Sequence, residues 1–191
     1  MKLFKSLLVA LCAMSVLSSA VAQMEDTISV TSSAFDHHGM VPEDNSAYGA
    51  NQSIDLSWDN LPAGTAQLVL IMDDPKVVEL GMMAEPFVHW VAYNIPASAS
   101  GLPADLTKDA VVTGIPELEG MINGVSGLRR PGYFGPRPPA NGQLHAYHFR
   151  IYALDSELDL AEGLGKAEVL AAIDGHVLGT GMLMGHYERK E

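Results

Sequence analysis

From Tyr133 to Tyr147 the chain reads Tyr133-Phe134-Gly135-Pro136-Arg137-Pro138-Pro139-Ala140-Asn141-Gly142-Gln143-Leu144-His145-Ala146-Tyr147. Three prolines in four residues hold φ at about −65° and remove three backbone donors, so this stretch can join neither a helix nor the middle of a sheet. Gly135 and Gly142 allow backbone angles closed to other residues. The stretch is therefore a stiff loop, suited to holding side chains at the mouth of a cavity. It leads into an apolar, β-prone run, His145 to Leu154. His145 and Tyr147, two apart at the entrance of that strand, lie on one face of the sheet. That face either lines a pocket or fills a core.

The first residues read as an address. Lys2 and Lys5 precede an apolar run from Leu7 to Leu17, and Ala20-Val21-Ala22 forms a small-residue cleavage site. This is the pattern of a secretory signal peptide over 1–22, with the domain over 23–191 and a periplasmic or secreted destination. No later run reaches the roughly 18 apolar residues of a membrane helix, so none spans a membrane after cleavage. The one cysteine, Cys12, lies in the leader. The mature chain has neither disulfide nor thiolate metal ligand and must be held by its core. Its 169 residues suffice for one well-buried domain. Without the leader, 23 acidic residues face 9 basic ones, a balance that argues against nucleic acid and anionic membrane surfaces as partners.

The patterning is mainly β. Thr27–Ser32 and Ser53–Trp58 alternate with period two, as half-buried strands do. Leu68–Met72 is a continuous apolar run expected to be buried on both faces. Phe87–Ile95 is a strand stopped by Pro96, and His176–Tyr187 closes the chain as a glycine-containing strand. One helix is expected at Lys166–Ile173, stopped by Gly175. Phe35–Gln52 and Gly101–Gly132 show no clear period and read as long irregular connections.

Two further segments carry chemistry. Met72-Asp73-Asp74-Pro75 ends a buried strand with two carboxylates, which makes either a turn or a functional strand end. Pro86–Asn94 places His89 among apolar residues, where alternation groups it with Phe87, Val91 and Tyr93 and puts Trp90 on the other face. His89 is either a satisfied core histidine or a pocket residue. His37-His38 is a loop pair with no assignable partner.

Taken together, Asp74-Pro75, Val88-His89-Trp90-Val91-Ala92-Tyr93-Asn94-Ile95-Pro96, and Gly135-Pro136-Arg137-Pro138-Pro139 followed by His145-Ala146-Tyr147 resemble the signature of the phosphatidylethanolamine-binding proteins, in their bacterial, Raf-kinase-inhibitor-like branch. Leu56-Ser57-Trp58, Leu61–Thr65 and Gly185-His186-Tyr187 extend the resemblance from about Thr27 to the C-terminus. It implies a large antiparallel sheet packed on a smaller sheet, with one or two short helices. It also implies a small pocket for phosphate, phosphoethanolamine or acetate-like anions, built by Asp74, His89, His145 and Tyr147 with Gly135 and Pro138 at the rim. Imidazole N–H and phenol O–H groups can donate to phosphate oxygens, while the carboxylate can orient a histidine or accept from an ammonium head.

The family pattern Asp-Pro-Asp-Ala-Pro is here Asp74-Pro75-Lys76-Val77-Val78, and Arg137 stands where relatives tend to have a small residue. Lys76 and Arg137 either point to the mouth, making the pocket more cationic than its relatives' and favouring more strongly anionic ligands, or simply solvate the surface, as long cations in loops usually do. The departures at Gly120–Gly124 leave the far wall unspecified. The expected function is thus an exported, non-enzymatic binding protein that takes a small anion or zwitterion and could modulate another protein. No cofactor and no metal are expected. The alternative is a hydrolase or metal-dependent enzyme using Asp74, His89 and His145, but no nucleophile motif accompanies them. Met182, Leu183 and Met184 could support a homodimer, as members of this branch often form.

Overall fold

The computed structural model describes residues 27–189; the expected signal peptide and its cleavage site lie outside them. The expected two-sheet, mainly β architecture is what the chain adopts. A small sheet has the order β1-β2-β5, from Ser29–Thr31, Leu56–Asp59 and Gly101–Leu102. A five-stranded sheet has the order β6-β4-β3-β7-β8. Its strands are β3 (Gln67–Asp74), β4 (Phe87–Pro96), β6 (Ile122–Asn123), β7 (His145–Leu154) and β8 (Val177–Tyr187). All pairings within both sheets are antiparallel. Among the described residues two short α-helices join the sheets, α1 (Lys76–Glu79) and α2 (Lys166–Ala172).

β3 is central because it can be dry on both faces. Leu68, Leu70 and Met72 join Trp90, Phe149 and Ile151 in the core shared with Val30, Leu56 and Trp58 of the small sheet. Val69 and Ile71 face the opposite way and pack with Val91, Tyr93, Val169 and Ile173 under α2. The same alternation separates the two carboxylates at the end of β3: Asp73 pairs with Lys166 of α2, while Asp74 turns to the other face.

The glycines of β8 have a packing reason. A Cβ on Gly181 would stand 2.2 Å from the Ile28 carbonyl oxygen, so the chain entering β1 can cross β8 only where no side chain intervenes. The Phe35–Gln52 connection, expected to be irregular, runs partly beside β8: His38 N–H donates to the Met184 carbonyl (2.7 Å), Val41 N–H to the His186 carbonyl (2.7 Å) and His186 N–H to the Gly39 carbonyl (2.8 Å). The Gly101–Gly132 region is less featureless than its sequence, since it supplies β5 and β6 and a short 3-10 turn at Pro116–Leu118. β1 and β2 are shorter than their alternating runs because pairing covers only Ser29–Thr31 against Ser57–Asp59.

One expectation about β4 fails. Met72 pairs with Trp90 but Asp73 pairs with Val88, so His89 is an extra residue in β4. Such a bulge resets the alternation. His89 consequently stands on the face of Phe87 and Trp90, against Tyr147, while Val91 and Tyr93 point to α2.

Candidate ligand pocket

Antiparallel pairing brings the end of β3 beside the starts of β4 and β7, and three distant sequence segments meet there. Asp74 closes β3, His89 sits on the β4 bulge, and His145 and Tyr147 open β7. The Phe134–Pro139 loop covers them, leaving a pocket of about 260 Å³.

His145 is fully buried, and its Nδ1 lies 2.7 Å from Asp74 Oδ2. Asp74 Oδ1 accepts the Lys76 backbone N–H at 2.9 Å. Both carboxylate oxygens are thus engaged within the protein, and Asp74 is only 3 % exposed. Of the two roles open to this carboxylate, the structure uses it to orient a histidine. His145 Nδ1–H donates to it, so in the neutral ring Nε2 carries the lone pair. That Nε2 is buried without a hydrogen-bond partner, as is the Tyr147 hydroxyl. Burial, and after it the Asp74 charge, pushes the Tyr147 phenol far above its usual value, so it remains a hydroxyl.

His89 is held by its surroundings. Its Nδ1 donates to the Phe134 carbonyl at 2.7 Å, and the Phe134 N–H returns a bond to the His89 carbonyl at 3.0 Å. The Phe134 ring stacks on it at 6°, with Phe87 and Tyr147 edge-on. Burial pushes the imidazole down to about 4 against the opposing pull of the Phe134 carbonyl and Asp74. At neutral pH the His89 Nε2 is therefore a lone-pair acceptor.

The rim departs in part from expectation. Arg137 and Pro138 line the pocket. Lys76 does not: it opens α1, and its ammonium runs along that helix to Glu79 at 2.7 Å. Gly135 also stands behind the lining, where a Cβ would meet the Asn45 carbonyl oxygen at 2.2 Å and its N–H donates to Asn51 Oδ1 at 2.8 Å. It clamps the loop to residues 45–51 and so sets where Phe134 and Pro138 fall. The wall that the sequence left unspecified consists of Val77, Met82, Met83, Phe87, Leu128 and Phe134. Met82, Met83 and Leu128 are large apolar residues left exposed, a mark of a contact surface; no periodicity in the sequence distinguishes them.

Among the described residues no group of three or more His, Cys, Asp or Glu stands close enough to hold a metal ion. None of the residues lining this pocket is Ser, Thr, Cys or Lys.

A two-sheet, mainly antiparallel β fold thus carries a pocket with a polar floor and an apolar wall at the ends of its central strands. The chain belongs to the phosphatidylethanolamine-binding protein family, whose sequence model matches residues 31–188. A UPF0098 protein of Methanothermobacter thermautotrophicus is 38% identical over 156 residues, 82% of this chain and 95% of the relative. A Mycobacterium tuberculosis protein bearing a lipoprotein name, LppC, is 34% identical over 167 residues, 87% of this chain and 75% of the relative. The crystal structure of the family homolog CT736 from Chlamydia trachomatis superposes with a TM-score of 0.73 at 33% identity, covering 86% of this chain and 99% of that one. None of these carries an enzyme name.

Proposed function

We propose that the chain is an exported, non-enzymatic binding protein whose pocket takes a small phosphate- or carboxylate-bearing molecule, phosphoethanolamine being the natural first candidate. The observation that carries this reading is the pair of partnerless buried polar atoms, His145 Nε2 and Tyr147 Oη, at one pocket. An unsatisfied buried polar group costs about 1–3 kcal/mol, and a ligand oxygen seated between these atoms offsets that cost. The pocket volume suits a head group rather than acyl chains, being below the usual range for drug-sized ligands. The lining holds no serine, threonine, cysteine or lysine to serve as an activated nucleophile, which supports binding over covalent hydrolysis. Export rests on the leader-like N-terminus and agrees with the lipoprotein name of one relative.

The protonation of the pocket shapes what it accepts. Two Nε2 atoms are acceptors in their neutral state, and the Tyr147 hydroxyl and the Arg137 side chain are the side-chain donors at hand. A fully deprotonated ligand oxygen that meets the His89 Nε2, neutral at pH 7.5, therefore enters with a proton shared between the two. The test is calorimetric titration of phosphoethanolamine, phosphate and acetate at pH 7.5 in two buffers of different ionisation enthalpy. Saturable binding with uptake of about one proton for phosphate, lost in His145→Ala, is the expected result. Saturable binding that survives His145→Ala, or no heat with any of the three, would overturn the assignment.

A further inference from the structure

Two sequence features stand outside this pocket, the His37-His38 pair and the methionines of β8, and the fold brings them to one surface. On β8, Met182, Met184 and His186 alternate with the buried Leu183 and Tyr187, so all three share the outer face. The loop beside β8 forms a parallel bridge in which Met40 is the partner of His186. Bridged residues project to the same side, so the Met40 and His186 side chains leave the backbone on one face. The His38 ring reaches the same place, with its centre 5.8 Å from that of His186 and the planes at 63°. His186 Nε2 is buried and has no hydrogen-bond partner.

We propose that His38, His186, Met40 and Met184 form a soft-metal site for monovalent copper. Two imidazoles bound to one metal at about 2 Å hold their ring centres roughly 5–6 Å apart, and the observed separation falls in that range. Two histidines without a third histidine, cysteine or carboxylate do not make a zinc or hard-cation site, which agrees with the lack of any such group among the described residues. Thioether sulfur completes the set, and thioethers select Cu(I) over Zn(II), Mg(II) and Ca(II). Two neighbours are excluded by their bonds. His37 Nδ1 accepts the Met184 N–H at 3.2 Å, so this residue braces His38, whose ring centre is 4.1 Å away, rather than ligating. Met182 sulfur accepts from Arg150 at 3.2 Å. Met40 is 51 % exposed, which leaves the metal an entry path from solvent. The site lies on the opposite face of β8 from the ligand pocket's core and does not depend on the reading of that pocket.

The experiment is anaerobic competition of the purified full chain against a chromophoric Cu(I) chelator, with Ag(I) calorimetry as a redox-silent second probe and Zn(II), a borderline imidazole-binding ion, as the control. One equivalent of Cu(I) and of Ag(I) should bind and Zn(II) should not. His38→Asn, which tolerates the positive φ of 67° at that position, should weaken Cu(I) by about tenfold or more, and Met40→Leu with Met184→Leu by a similar factor, since even an outer-shell partner is worth about 10–100-fold in metal affinity. His89→Ala should leave Cu(I) binding unchanged. Both sets of variants act on exposed or half-buried side chains, and thermal unfolding of each confirms the fold. Failure of the wild type to compete for Cu(I), Zn(II) binding of equal strength, or Cu(I) affinity indifferent to His38 and to both methionines would each overturn the site.

Discussion

Tyr147 puts stability and binding in opposition. Its hydroxyl is buried and unpaired, so Tyr147→Phe removes a polar atom that the unliganded fold does not use. The variant should be as stable as the wild type or about 1 kcal/mol more stable in urea unfolding, while phosphate affinity falls roughly tenfold. A variant that lost stability instead would show the hydroxyl to be bonded in the resting protein. His89 makes a second residue-level prediction. Its folded pKa, about 4, lies below its ordinary value of 6.5. The unfolded chain therefore binds more protons between these values, and folding stability falls as pH drops from 6.5 towards 4. The contribution is on the order of 3 kcal/mol, fully present above pH 6.5. His89→Gln should flatten this part of the stability–pH curve, measured by urea unfolding at pH 7 and pH 4.5. An equal acid loss in wild type and variant would assign the effect elsewhere.

Among the elements, β4 and β8 show what periodicity does and does not reveal. β7 could be read directly: His145 and Tyr147 sit two apart on a regular strand, and both reach the pocket. β4 could not, because the bulge at His89 breaks the period that placed Trp90 on the opposite face, and a bulge has no signature in one apolar run. Lys76, open between rim and solvent in the sequence, goes to solvent. Asp74 is the functional end of β3 and Pro75 caps α1, whose first residue runs its side chain along the helix to Glu79. β8 tolerates glycine because another layer crosses it. Gly181→Ala should cost about 1–3 kcal/mol in thermal or urea unfolding, since the obstacle is the Ile28 backbone rather than a mobile side chain. Phosphoethanolamine affinity should be unchanged in the folded variant, because residue 181 pairs with Ile151, well along β7 from Tyr147. A variant of wild-type stability would contradict the close approach of β1 to β8.

For the molecule as a whole, local pattern gave the layers and family resemblance gave the pocket, but the wall of that pocket came from neither. Val77, Met82, Met83 and Leu128 lie on α1 and on loops whose sequences have no period, and only the closure of Phe134–Pro139 over three strand ends brings them together. The molecule is strongly acidic overall, yet the pocket floor is set by two imidazoles and a phenol rather than by net charge. The central claim is that the ligand is held at those atoms, together with a proton. The measurement that tests it most directly is a long-range proton–nitrogen NMR spectrum of the histidine rings during a phosphate titration at pH 7.5. The His89 Nε2 should move from the lone-pair to the protonated position in step with binding, while its Nδ1 stays protonated. Saturation with phosphate while the His89 Nε2 keeps its lone-pair shift would overturn it.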